Sequence, residues 1–221
     1  MRSSLNIMGA HLTWGIIAGS LLLTLFADLA EDVMYQETGA FDTVVGSFIR
    51  STASEGLTQL AVIVTNVGSA AFEISLLLIL GSYMFFRLKQ VWEPLLLAVC
   101  LAGGWLLNTV LKEVFHRSRP DIQHLVETGG YSFPSGHAMI ATAFYGMLGY
   151  LIWSNLRQRS KPSWYVMLLT FCLVAAIGAS RVYLGVHYPS DVIAGFAAGG
   201  VWLLACVLAL GAARRCERRR I

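Results

Sequence analysis

The sequence predicts an all-α integral membrane protein with six transmembrane helices, one short interfacial helix and both termini in the cytoplasm. Three observations predict it. Of 221 residues, 56% are hydrophobic and only 13% charged, against about 25% charged in an ordinary soluble domain. Several apolar runs approach the ~20 residues that a helix needs to cross a bilayer. Lysine and arginine, finally, gather in alternate connections between those runs, as the positive-inside rule requires. A soluble core of this size could not hide so much apolar surface.

The first span covers about 10–28 and is apolar from Leu12 to Phe26. Arg2 in front and Ala27-Asp28-Leu29-Ala30 behind give it some likeness to a signal peptide; it is read as a retained anchor. The region 29–56 is polar and acidic, with Glu31, Asp32, Glu37, Asp42 and Glu55. From Leu57 to Phe86 the chain is apolar for longer than one span needs, interrupted by Asn66 and Gly68-Ser69. It therefore divides into an interfacial helix at 57–67 and a second span at about 70–88. The third span runs about 92–114, the fourth 135–155, the fifth 163–182 and the sixth 190–212. The connection 115–134 contains Pro120, Pro134 and Gly129-Gly130, which marks a structured loop. The whole chain, 1–221, is one membrane-embedded domain without internal repeats.

Orientation follows from the sixteen basic residues. Arg2, Arg87, Lys89, Arg157, Arg159, Lys161 and five arginines of the C-terminal tail fall on one side, which is assigned to the cytoplasm. Arg50, Lys112, Arg117, Arg119 and Arg181 fall on the other. The basic residues do not form a face interleaved with aromatics, so nucleic acid is not an expected partner. Cys100, Cys172 and Cys206 lie inside apolar runs and Cys216 in the basic tail; no spacing suggests a disulfide framework or a zinc site.

Lys112, Arg119, His137, Arg181, His187 and Asp191 all fall at outward-facing span ends. Charged groups so near the hydrocarbon are functional hypotheses by default. Each alone has a plainer role: Lys112 or Arg181 snorkelling to the headgroups, Ser135 capping the fourth span, Asp191 facing the N-terminal dipole of the sixth. Together, three cations from three spans beside two histidines and a carboxylate describe a receptor for a compact multi-anion, which arginine forks and a lysine hold without a metal. The Ser135-Gly136-His137 turn adds helix N-terminal amides, and Gly136 lets the backbone approach closely.

The order of these residues resembles the type 2 phosphatidic acid phosphatase family, which includes lipid phosphatases, bacterial acid phosphatases and vanadium haloperoxidases. Its lysine, six residues, Arg-Pro signature appears as Lys112 to Arg119-Pro120; its Pro-Ser-Gly-His as Pro134-Ser135-Gly136-His137; and its third signature as Ser180-Arg181, His187 and Asp191. The motif core covers about 105–195. The resemblance implies His187 as nucleophile, Asp191 as its orienting carboxylate and His137 as acid and then base. It implies Lys112, Arg119, Arg181, Ser135 and Gly136 as the phosphate-binding set. No metal-ligand set is visible, so no cofactor is expected. The expected substrate is a membrane lipid phosphate or pyrophosphate handled on the extracytoplasmic face of a bacterial inner membrane, as bacterial members handle phosphatidylglycerol phosphate or undecaprenyl pyrophosphate. Phosphatidic acid and diacylglycerol pyrophosphate share the feature such a site reads. A lipid phosphotransferase would use the same residues; a non-enzymatic anion-binding or transport protein would explain the cations but not the two histidines and Asp191. Tyr131, Phe133, Tyr183 and Tyr188 suit either the mouth of the site or a plain membrane interface. Glu73 and His116 have no assigned role.

Overall fold

The computed structural model describes residues 2–218, and among them every regular element is an α-helix. In order these are α1 (Arg2–Met34), α2 (Gly39–Ser51), α3 (Glu55–Val67), α4 (Ala70–Phe86), α5 (Trp92–Phe115), α6 (Gly136–Gln158), α7 (Trp164–Tyr183) and α8 (Pro189–Arg218). The tail arginines Arg219 and Arg220 lie outside the described residues.

The central element is α6, which packs against α5, α7 and α8. Its core is built from Phe144, Met147 and Ile140 of α6, Leu97 and Cys100 of α5, Ile177 of α7, and Cys206 and Leu210 of α8. Around it, α5 and α7 expose Trp105, Leu106, Val110, Leu168, Leu169 and Phe171, an apolar girdle that in a soluble protein would be a large liability and here is a lipid-facing surface.

Among the described residues, four helices are long and apolar enough to cross a membrane: Thr13–Met34 within α1, α5, α7 and Pro189–Gly211 within α8. A fifth crossing is formed if α3 and α4 are one broken span; they bend by 51° at Gly68-Ser69, where the interruption was expected. The chain is thus a multi-pass membrane protein. The fourth expected span, α6, is the exception. It is fully helical but less apolar than those four, and polar residues such as Thr142 and Tyr145 are turned to neighbouring helices, Thr142 to Gly199 of α8 and Tyr145 to the Val67 carbonyl of α3.

The acidic region 29–56 holds more structure than its composition suggests. After α1 ends at Met34, α2 presents Phe41, Val44, Val45, Phe48 and Ile49 at helical spacing. Phe41, Val44 and Phe48 are exposed, while Asp42 on the opposite side is buried. Sequence reading left this helix out, since acidic neighbours dilute its short apolar stripe. The loop 116–135 is irregular, as expected, and hugs the protein: Ser132 N–H donates to Arg117 O (2.8 Å) and Ser135 N–H to Asp191 O (3.0 Å).

Candidate active site

Helix ends and two loops deliver the predicted residues to one place. His116 ends α5 in the left-handed conformation (φ 47°), which turns the chain so that Arg119 comes back over the end of the bundle that carries Lys112. The turn into α6 follows the cis Phe133–Pro134 peptide. There, a Cβ on Gly136 would sit 2.8 Å from Asn108 Oδ1, and one on Gly195 would sit 2.7 Å from Ser135 O. Only glycine permits α5 and α8 to press this closely on the turn.

A cavity of about 390 Å³ opens at this end, lined by Lys112, Arg119, Gly136, His137, Arg181 and His187 together with Thr65, Asn66 and the loop residues Val126–Gly129. Two predicted residues are not on its wall. Asp191 and Ser135 are fully buried, Asp191 behind His187 and Ser135 at the start of α6. Ser135 does not cap α6 through its side chain, so the plain capping role fails; its hydroxyl is buried without a partner.

The two arginines of the cavity are held by neutral groups. Arg119 donates to four carbonyl oxygens: Gly130 (3.0 Å), Gly129 (2.8 Å), Tyr131 (3.4 Å) and Val186 (2.7 Å). Arg181 donates to Thr65 Oγ1 (2.7 Å) and keeps a buried, unpartnered Nε. Carbonyl and hydroxyl dipoles orient these guanidinium groups without neutralising them, so the cavity keeps its positive potential.

His187 has its Nε2 3.3 Å from Arg119 Nη1. A guanidinium can only donate, so Nε2 must be the accepting nitrogen and the ring proton belongs on Nδ1. Nδ1 in turn faces Asp191 Oδ2 (3.4 Å) and Ser132 Oγ (3.4 Å). Burial, with Arg119 and Arg181 nearby and despite the pull of Asp191, pushes the imidazole down to about 4. Burial also lowers Arg119 from its usual range. A neutral imidazole with its lone pair turned into a cation-lined cavity is a ready nucleophile.

Asp191 is more heavily tied than its predicted role requires. Its Oδ2 accepts from Ser132 Oγ (2.5 Å) and Tyr188 N–H (2.9 Å), and its Oδ1 from Arg117 (2.5 Å). Arg117 also binds Asp42 (2.7 Å). Sequence reasoning missed Arg117, Asp42, Ser132 and Thr65. Arg117 lies inside the first motif, two residues before Arg119, and Ser132 just precedes Pro-Ser-Gly-His, so proximity to a motif could have flagged both. Nothing local marks Asp42 or Thr65, which come from α2 and α3. Of the aromatics considered for the mouth, Phe133 is instead fully buried between Phe26 and Phe115, and Tyr183 is buried with its hydroxyl on Thr58. Tyr188 stacks on Arg117 (4.1 Å), and Tyr131 meets His116 edge-on.

A family model described as the PAP2 superfamily matches residues 93–215. The chain belongs to the PAP2 superfamily. Phosphatidylglycerophosphatase B of Bacillus subtilis strain 168 is 39% identical over 136 residues, covering 62% of this chain and 66% of that protein. An undecaprenyl-diphosphatase of Sulfolobus acidocaldarius is 32% identical over 126 residues, 54% of this chain and 55% of that one. The crystal structure of a transmembrane PAP2-type phosphatidylglycerolphosphate phosphatase from Bacillus subtilis superposes with a TM-score of 0.81 at 31% identity, covering 86% of this chain and 94% of that one. Membership therefore rests on sequence and on fold together.

Proposed function

We propose that this chain hydrolyses a lipid phosphate or pyrophosphate through a phosphohistidine on His187. The phosphatase class is supported by the family and by relatives named for lipid phosphates and diphosphates. The observation that carries the mechanism is the accepting Nε2 of His187, turned into a cavity walled by Lys112, Arg119 and Arg181.

In the first half-reaction Nε2 attacks phosphorus and the bond to the leaving oxygen breaks, with His137 passing a proton to that oxygen. The negative charge of the substrate offsets the three cations around His137 and lets it carry this proton. Asp191 balances the imidazolium that bears the phosphoryl group. In the second half, His137 takes a proton from water as its oxygen attacks phosphorus; the P–Nε2 bond breaks, its electron pair returns to the now neutral His187, and phosphate leaves. Lys112, Arg119 and Arg181 hold the nonbridging oxygens, and the charge they place there outweighs the contribution of proton transfer. Arg181 Nε gains from the phosphoryl group the acceptor it lacks. The Gly136 amide serves the same anion from the α6 N-terminus, with the Ser135 hydroxyl behind it. No metal enters this scheme, and activity is expected to persist in excess EDTA.

The six-span arrangement belongs to this reading, with α6 as the shielded crossing, both termini in the cytoplasm and the cavity on the outer face of the cell membrane. The distribution of basic residues supports it. Phosphatidylglycerol phosphate and undecaprenyl pyrophosphate are the substrates to try first, given the names of the relatives. The test is phosphate release by the purified protein in detergent from a panel of these lipids and phosphatidic acid, beside His187→Ala. Release that disappears in the variant is expected. A folded wild type releasing phosphate from none of them would move the assignment to a phosphotransferase awaiting its acceptor.

A further inference from the structure

We propose that Arg117 and Asp42 are positioning residues for the reaction, acting on His187 through Asp191. The inference rests on the reading of His187 as the nucleophile. It starts from an ion chain hidden behind the cavity. The side chains of Asp42 and Asp191 are 2% and 0% exposed, and Arg117 between them 14%. One guanidinium nitrogen of Arg117 reaches Asp191 Oδ1 (2.5 Å) and Ser190 Oγ (2.8 Å); the other reaches Asp42 Oδ2 (2.7 Å) and Thr38 Oγ1 (3.0 Å). The ring of Tyr188 closes one face. Asp42 also accepts from Ser190 N–H (2.9 Å) and Ser190 Oγ–H (2.7 Å), which fixes α2 to the first turn of α8.

Such a cluster is a costly way to join two helices. Buried ion chains are weak sources of stability, because desolvation consumes most of what the pairing returns. What the cluster controls is the carboxylate of Asp191. With Oδ1 committed to Arg117, the carboxylate cannot rotate, and Oδ2 is the only oxygen left for the Nδ1 of His187. The positive charge of Arg117 also keeps Asp191 from capturing the imidazole proton. Asp42 opposes that charge, so that the chain as a whole, two carboxylates against one guanidinium, presents negative charge to the imidazolium formed when His187 takes up the phosphoryl group. Neither Arg117 nor Asp42 lines the cavity, so both act on turnover and not on substrate capture.

The two residues should therefore move His187 in opposite directions. The groups facing its ring are Lys112 from α5, Arg119 from the loop, His137 from α6, Arg181 from α7 and Asp191 from α8, and none of these is altered by either substitution. Asp42→Asn leaves Arg117 opposed by Asp191 alone, weakens the pull of Asp191 on the imidazole and makes His187 less basic. Arg117→Ala leaves Asp191 unopposed and makes His187 more basic. The experiment is nitrogen-15 NMR of histidine-labelled full-length protein in detergent, following the His187 ring titration in the wild type, Asp42→Asn, Arg117→Ala and Arg117→Lys, beside kcat and KM. The expected result is a titration midpoint shifted down in Asp42→Asn, up in Arg117→Ala, and near the wild type in Arg117→Lys. With it comes a loss in kcat of about 10–100-fold, as for other residues that orient a reacting group from behind, at a KM changed less than about twofold. Midpoints that stay put in all three folded variants, or activity that merely follows the folded fraction, would overturn the proposal. The NMR readout needs no turnover, so it separates failure of this inference from failure of the phosphatase reading. Should Arg117→Ala not fold, Asp42→Asn and Arg117→Lys decide the matter by themselves.

Discussion

Two sets of cations surround the same histidine, one facing the cavity and one behind its carboxylate partner, and they are treated oppositely. Arg119 and Arg181 face the cavity with carbonyl, hydroxyl and neutral imidazole partners, so their charge remains available to a ligand. Arg117, one layer behind, is matched by Asp42 and Asp191 and covered by Tyr188. The difference teaches how a membrane protein affords buried arginine: where charge must act on a substrate it is oriented by dipoles, and where it must act on another residue it is neutralised. His187 lies on the boundary, its Nε2 on the unneutralised side and its Nδ1 on the neutralised one.

Substitutions on the cavity side should have the larger effects. His187→Ala removes the proposed nucleophile and should lower kcat by about 10⁴-fold or more, as loss of a nucleophile does elsewhere, with the protein still folded by circular dichroism; appreciable turnover in that variant would break the comparison at its centre. Arg181→Ala and Arg119→Ala each delete an anion donor and should cost about 10²–10³-fold in kcat/KM. Arg119→Lys should recover little of it, because one ammonium cannot replace a fork bonded to four carbonyl oxygens; recovery beyond tenfold would mean that charge alone suffices. Thr65→Val leaves Arg181 in place and removes a single neutral hydrogen bond, so a loss of about 2–10-fold in kcat/KM is expected.

The pH profile sharpens the same contrast. Because the imidazole of His187 is pushed down to about 4 by burial and by its cationic neighbours, the free enzyme keeps a neutral nucleophile at every pH above that value. Protonation destroys activity, so the limb of kcat/KM assigned to His187 should fall on the acid side below pH 5, well under the usual 6.5 of a histidine. A limb near 6.5 that stays put in Arg119→Ala and Arg181→Ala would show that the cations do not act on it.

Much of this was legible in the sequence. The helices α5, α7 and α8 announce themselves by hydropathy, and the three motifs name the cavity residues in order. What escaped did so for physical reasons. Asp42 bonds Ser190 across 148 positions, a distance over which no local pattern speaks, and α2 hides its apolar stripe among Glu37, Asp42 and other acidic residues. Arg117 was counted for orientation only, since a cation near a membrane surface has a ready ordinary explanation. The helix α6 shows the converse: it carries His137 and many buried residues and was read as a span at 135–155, yet it is less apolar than the helices that face lipid. Apolarity reports where lipid is, and a helix wrapped by other helices is free to be polar.

The most direct measurement is to quench the enzyme during turnover of a lipid substrate carrying labelled phosphorus and to map the label by peptide sequencing. An acid-labile, base-stable phosphoryl group on Nε2 of His187 is the predicted result. Label trapped on His137, Ser135 or any other side chain would contradict it.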